Sequence, residues 1–204
     1  MKLSLLKYLV ITSSMLLVAC STTVKNVIVS TELQMVSNNA YQQKQAELMV
    51  TDQRLAKHIV QITKDNIVTE GSKRYFAQQA LKDIITRSLT NGFKTSSLQL
   101  QPNATTKIEI VIDKAIINVV EDLVKYTANN EIVLRVIAKN NHETLTKTFK
   151  RIGTSNGPFN ADMAVLERDF NQKLTKLLTD IIQNNALQEF INQKNTTLVT
   201  PYTG

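Results

Sequence analysis

The chain has 204 residues, of which 43% are hydrophobic, 20% charged and 5% aromatic. This composition fits one globular domain with extensions and excludes a disordered chain, a collagen or a disulfide scaffold. Two histidines and a single cysteine exclude a His/Cys zinc cluster and an intrachain disulfide. The formal net charge of +7 comes without any basic stripe interleaved with aromatics, so no nucleic-acid partner is expected.

The first twenty residues set the expected compartment. Lys2 and Lys7 form a positive start, and residues 9–19 form a short apolar run that covers only about half of a hydrocarbon core. This pattern reads as an export signal rather than a spanning helix. It ends in Leu17-Val18-Ala19-Cys20. That tetrapeptide resembles the lipobox of bacterial lipoprotein precursors, which implies cleavage between Ala19 and Cys20 and a diacylglycerol thioether on Cys20. Two or three acyl chains anchor stably where one does not. Such a protein sits on a membrane without crossing it. In Gram-negative lipoproteins an aspartate after the cysteine retains the protein at the inner membrane, so Ser21 points to the outer membrane. Removing Lys2 and Lys7 leaves 22 Lys and Arg against 17 acids, a net charge of +5 that is scattered as a solvated surface.

The expected organisation is a signal peptide over residues 1–19, a lipidated tether over 20–26, one domain over 27–194 and a flexible tail over 195–204. A strand is expected over 27–33, a polar loop over 34–45, a strand over 46–51 and another over 58–69, with a turn at Lys64-Asp65-Asn66. Ser72 and Gly92 bracket a predicted helix, with Phe76 or Ala77, Leu81, Ile84, Ile85 and Leu89 on its apolar side. A meander follows. Ile108, Ile110 and Ile112 alternate with polar residues, residues 116–126 give the next strand, and Asn129-Asn130 is read as a turn. Residues 131–139 alternate again, and Asn140-Asn141 turns the chain into a strand over 145–152. The clearest element is the last long helix. Met163, Leu166, Phe170, Leu174, Leu177 and Ile181 recur at steps of three or four, capped by Asn160 and broken at Asn184-Asn185, beyond which Leu187, Phe190 and Ile191 fold back on the domain. Asp169 and Lys173 are spaced to pair across one turn. The predicted fold class is α+β, an antiparallel sheet covered on one face by two helices.

Several short motifs occur in a fixed order: Asp52-Gln53-Arg54, Lys64-Asp65-Asn66-Ile67-Val68, Ser72 with Arg74, Asn91-Gly92-Phe93, Leu178-Thr179-Asp180 and Glu189-Phe190-Ile191. Together with the lipobox, this order resembles the YajG-like bacterial lipoproteins over residues 27–194. The resemblance implies a periplasm-facing domain on a Gram-negative envelope membrane and brings no catalytic residues with it.

Each chemistry-bearing residue has a structural role to set beside a functional one. No Gly-x-Ser-x-Gly elbow or Gly-rich phosphate loop is present. His58 reads as a surface or edge histidine, and His142 as a solvated turn residue. Glu121 and Asp122 are neighbours in a strand or bend, where adjacent side chains point apart, so they do not form a carboxylate pair. Asp52 with Arg54 reads as turn chemistry, with loop orientation or partner binding as the alternative. The expected function is a non-enzymatic envelope lipoprotein with a binding or assembly role, needing no cofactor or metal. Its expected partners are the membrane, through Cys20, and an envelope protein or peptidoglycan. The alternative is a lipid-tethered hydrolase of an envelope polymer.

Overall fold

The computed structural model describes residues 26–64 and 72–193. The signal peptide, Ala19, Cys20, Asp65, Asn66 and the tail over 195–204 lie outside the described residues. Eight strands form a single sheet: β1 (Asn26–Val27), β2 (Gln45–Asp52), β3 (His58–Lys64), β4 (Lys73–Ala77), β5 (Gln99–Leu100), β6 (Lys107–Glu121), β7 (Lys125–Lys139) and β8 (Thr144–Pro158). Among the described residues three helices accompany them: α1 (Leu81–Thr95), α2 (Met163–Ile182) and α3 (Asn185–Asn192).

The sheet is organised around β6. Along one edge β6 pairs antiparallel with β7 over its full length, and β7 pairs antiparallel with β8. Its other edge is shared by two strands in succession. Parallel β2 occupies residues 107–112, and parallel β3 occupies 117–121. Short β5 adds to β2 in parallel, while β4 adds to β3 antiparallel and carries β1 in parallel. The sheet is therefore mixed, and the expectation of an antiparallel sheet is corrected. The sequence pattern marks strands but not the partners they find across the chain.

Burial follows the period of two. On β7, Tyr126, Ala128, Asn130, Ile132, Leu134, Val136 and Ala138 are buried, while the alternate residues are partly or fully exposed. On the open face Glu131 draws Lys114 and Lys150 together, and Asp113 pairs with Arg135 at 2.8 Å. The closed face is covered by the helices. Leu166, Phe170, Leu174, Leu177, Leu178, Ile181 and Ile182 of α2 are buried, which bears out the apolar stripe read from its spacing. Asp162, not Asn160, caps α2: its carboxylate accepts from Ala164 N at 2.9 Å. The break at Asn184 is itself a cap, its side chain accepting from Leu187 N at 3.2 Å. Helix α3 then buries Leu187, Phe190 and Ile191.

Further expectations change. Residues 73–77 are strand β4 rather than the first turns of a helix, because Tyr75 and its neighbours pair with β3. Helix α1 starts at Leu81 and runs through Gly92 to Thr95, with left-handed Ser97 (φ 63°) just past its end. Gly92 serves close approach instead: a Cβ there would lie 2.3 Å from Ile182 Cδ1 of α2. The 108–112 and 116–126 segments are one strand, β6, to Glu121, with a bulge at Asp113. The reversal is made by Asp122, whose carboxylate accepts from Val124 N and Lys125 N at 2.8 Å each, so Asn129-Asn130 lies inside β7. The Asn140 turn is as expected, its side chain accepting from His142 N and Glu143 N.

The expected strand over 27–33 is confined to Asn26–Val27. Beyond it the backbone is satisfied by side chains of α2. Ile28 N donates to Glu167 at 2.9 Å, Ser30 N to Asn171 at 3.2 Å, and Asn171 Nδ2 to Ile28 O at 3.1 Å. The polar 34–45 loop is pinned by fully buried Tyr41, which packs edge-on against Phe93 and donates to Ile182 O at 2.7 Å. Burial pushes its hydroxyl pKa up.

Candidate functional site

The densest polar constellation sits where β2 hands over to β3 on the edge of β6. Here Gln53 N still donates to Ile112 O at 3.1 Å, and the chain then leaves β6 until Val60 meets Ile117. Arg54 bridges the gap. Its side chain is 5% exposed, and Nη1 donates to Ala115 O at 3.2 Å. The rest of the guanidinium grips Asp52 in a fork, Nε to Oδ1 at 3.0 Å and Nη2 to Oδ2 at 2.9 Å. Arg54 N also donates to Asp52 Oδ1, and Lys57 Nζ reaches the Asp52 backbone carbonyl at 3.0 Å. Burial would push the Asp52 carboxyl up, but the hydrogen bonds and charge of Arg54, joined by Lys57, outweigh it and hold the pKa at about 2. This bears out turn chemistry for Asp52 and Arg54. The bonds of Arg54 and Lys57 in this clip all go to the chain itself.

His58 stands next to this clip and corrects its surface reading. Strand β3 lies between β4 and β6, so the imidazole is 8% exposed, edge-on to Phe76 and 3.0 Å from Gln61 Oε1. Burial lowers its pKa, the Gln61 contact opposes that, and Arg74 and Arg54 lower it further. His142 is exposed in the Asn140 turn, as expected.

The acids at the end of β6 have separate tasks. Glu121 is buried and accepts from Ala161 N at 2.9 Å, fixing the link from β8 into α2. Asp122 holds the β6–β7 turn, and the amides of Lys125 and Val124 keep its carboxyl below the usual range. They do not converge on one point. Asn130, which the sequence placed in a turn, is buried and donates to Asp169 of α2 at 3.3 Å, and Asp169 also holds Lys173. Arg151 of β8 pairs with Asp180 of α2. Among the described residues no three His, Cys, Asp or Glu side chains gather in a metal-holding group, and no helix is long and apolar enough to cross a membrane. A groove of about 440 Å³ runs between the 28–35 segment and α1, with Thr31 bonded to Ser88 across it.

Comparison with known proteins agrees with this architecture. Protein XCC0632 from Xanthomonas campestris shares the fold with a TM-score of 0.54 at 15% identity, covering 80% of this chain and 96% of that one. The uncharacterized lipoprotein YajG of Escherichia coli K12 is 22% identical over 143 residues, 70% of this chain and 72% of its own length. The YajG of Escherichia coli O6:H1 matches to the same extent. The family model described as "Uncharacterized lipoprotein" matches residues 31–192, which include the Asp52–Arg54 clip, the Gly92 crossing and all three helices. The chain therefore belongs to this family of YajG-like envelope lipoproteins.

Proposed function

We propose that the protein is anchored by acyl chains on Cys20 to the outer membrane of a Gram-negative cell. Its domain faces the periplasm and acts there in binding or assembly rather than catalysis. The observation that carries the anchoring is positional. The only cysteine of the chain follows Leu17-Val18-Ala19 and stands six residues before Asn26, where the described domain begins. A lipid there tethers a folded domain through a short polar link. The non-enzymatic part is supported by what the charged side chains do. Asp52, Asp113, Glu131, Asp169 and Asp180 each meet a Lys or Arg of the same chain: Asp113 and Glu131 tie strand to strand, Asp180 ties helix to strand, and Asp52 and Asp169 are paired locally with Arg54 and Lys173.

Mass spectrometry of the membrane-extracted protein tests the anchor: acyl chains on an N-terminal Cys20 are expected, and an unmodified N-terminus refutes it. Ser21→Asp should shift the protein from outer-membrane to inner-membrane fractions on a density gradient; an unchanged profile refutes the assignment to the outer membrane. Release of soluble fragments from purified peptidoglycan by the pure protein would overturn the non-enzymatic reading.

A further inference from the structure

One end of the domain gathers three large apolar side chains in solvent. Leu123 and Val124 at the β6–β7 turn are 96% and 71% exposed, and Phe159 just after β8 is 69% exposed. They are held as a unit, since Phe159 N donates to Val124 O at 2.8 Å and Asp122 fixes the turn. Phe159 has a φ of 58°, a left-handed conformation that a bulky residue rarely adopts, so its ring is kept at the tip against backbone preference. Around them stand exposed Lys64, Lys73 and Lys125. The opposite end of the hairpin pair, at Asn140 to Glu143, carries no such apolar cluster.

The first described residue, Asn26, faces the same end. Strand β1 is parallel to β4, which begins with Lys73 beside Ile62 and runs away from the tip. Asn26 is therefore the tip-facing end of β1. Asn26, Lys64, Lys73 and Glu121 border one depression, and Lys64, Glu121, Leu123 and Phe159 border the next. Asn26 lies beside Phe76, three residues along β4 from Lys73, which lies beside Ile62, two residues before Lys64 at the level of Glu121. Those five steps are about 17 Å, and Leu123 lies two residues further out. Six residues from Cys20 to Asn26 span at most about 20 Å when fully extended. A lipid on Cys20 can enter a bilayer on this side only if the tip touches that bilayer.

We propose that Leu123, Val124 and Phe159 insert into the headgroup–acyl boundary of the membrane carrying the anchor, with Lys64, Lys73 and Lys125 meeting lipid phosphates. This docking rests on the lipidation of Cys20 proposed above. Among the described residues two carboxylates share the end, Glu121 and Asp122, both already bonded to backbone amides. With three lysines against two acids among those described residues, apolar insertion rather than charge supplies most of the attachment. Salt should weaken it only slightly, and each lysine removed should weaken it by no more than about fivefold.

The absence of tryptophan provides the probe. The full protein carrying Leu123→Trp, Phe159→Trp or Leu55→Trp is extracted from membranes and reconstituted into vesicles of phosphatidylethanolamine with a minor share of phosphatidylglycerol, containing brominated acyl chains. Leu55 is fully exposed on the β2–β3 link and serves as the control. Tryptophan at 123 or 159 should be blue-shifted and quenched severalfold more than at 55. Equal quenching at all three, in protein whose Cys20 is shown by mass to be acylated, overturns the docking and leaves the anchor standing. Conversely, the mature chain carrying Cys20→Ser should still partition onto the same vesicles, at least tenfold more than a form with Leu123, Val124 and Phe159 all changed to Ser and an unchanged circular dichroism spectrum. If that difference is seen while Cys20 proves unmodified in cells, the anchor fails and the docking stands. Tryptophan at 123 shielded from iodide only in native envelopes, and never quenched by brominated lipid, assigns the tip to a protein partner and overturns the proposal.

Discussion

Replacing Arg54 with Met tests the account of the β2–β3 handover most directly. The substitution keeps the volume of the buried stem but removes all three guanidinium contacts. Ala115 O then loses its donor at 3.2 Å, and a buried carbonyl left without a partner costs about 1–3 kcal/mol. Asp52, whose side chain is 16% exposed, retains only Arg54 N, now the amide of Met, and Lys57 Nζ at 3.2 Å, and Lys57 is itself half exposed. Lowering the Asp52 pKa from 3.8 to about 2 corresponds at face value to about 2 kcal/mol, which solvent on the open side of the carboxylate reduces to about 1 kcal/mol. Together these give a loss of about 3 kcal/mol, a large part of the 5–15 kcal/mol typical of a domain, and a fall in Tm of roughly 10 °C.

Urea unfolding of wild type, Arg54→Met, Asp52→Asn and the double variant measures the loss and the coupling in one cycle. The two changes should be less than additive by about 1 kcal/mol or more. The sign with pH follows from the direction of the shift. A carboxyl held below its unfolded value contributes stability that is fully present above about pH 4 and is lost as pH falls toward 2. Stability of the wild type should therefore drop over that window more than that of Asp52→Asn. An Arg54→Met protein within 0.5 kcal/mol of wild type, or a cycle with no coupling, would refute the clip.

Other outcomes follow from single contacts. Phe170→Ala should lower the unfolding free energy by about 3–5 kcal/mol, read by urea titration, since the ring is fully buried at the centre of α2. Gly157→Val should cost about 1–3 kcal/mol, because a Cβ there would lie 2.4 Å from Tyr126 Cε1 across the β7–β8 pair; thermal unfolding reads it. His58, held below its ordinary pKa, makes the unfolded chain the better proton acceptor, so stability should fall as pH drops below about 6.5. His58→Gln should flatten that slope, and an unchanged slope in a denaturant series from pH 7 to 5 would show that His58 titrates freely.

What the sequence revealed depended on whether the governing forces were local. The α2 stripe and the alternation on β7 report burial on one face, and both were legible because period alone determines them. Asn129-Asn130 was misread because asparagine at a turn and asparagine paired through the core look alike in sequence. Only the contact of Asn130 with Asp169 on a distant helix separates them. The turn went to Asp122, whose carboxylate makes the same bonds to following amides. The parallel pairing of β2 and β3 with β6 was not legible at all, since it joins segments more than fifty residues apart with no local signature. Phe159 was missed for a related reason. One phenylalanine after a proline carries no pattern until the β6–β7 turn is set beside it.

The motifs that carry the family resemblance take on a common meaning once placed. Asp52-Gln53-Arg54 closes the gap on β6, Gly92 lets α1 meet α2, Asp180 ties α2 to Arg151 of β8, and Phe190 with Ile191 seals α3 onto the core. Each is a joint between elements distant in sequence, where a wrong residue disturbs two elements at once. Recognition of a partner, by contrast, must use groups that the fold does not consume. Leu123, Val124 and Phe159 are such groups: their side chains are open to solvent, and among the described residues no side-chain hydrogen bond or ion pair passes through them. For this chain that surface lies at the end that Asn26 of β1 faces, so on the proposed lipidation of Cys20 the anchor and the apolar tip act on the same bilayer rather than on two different targets.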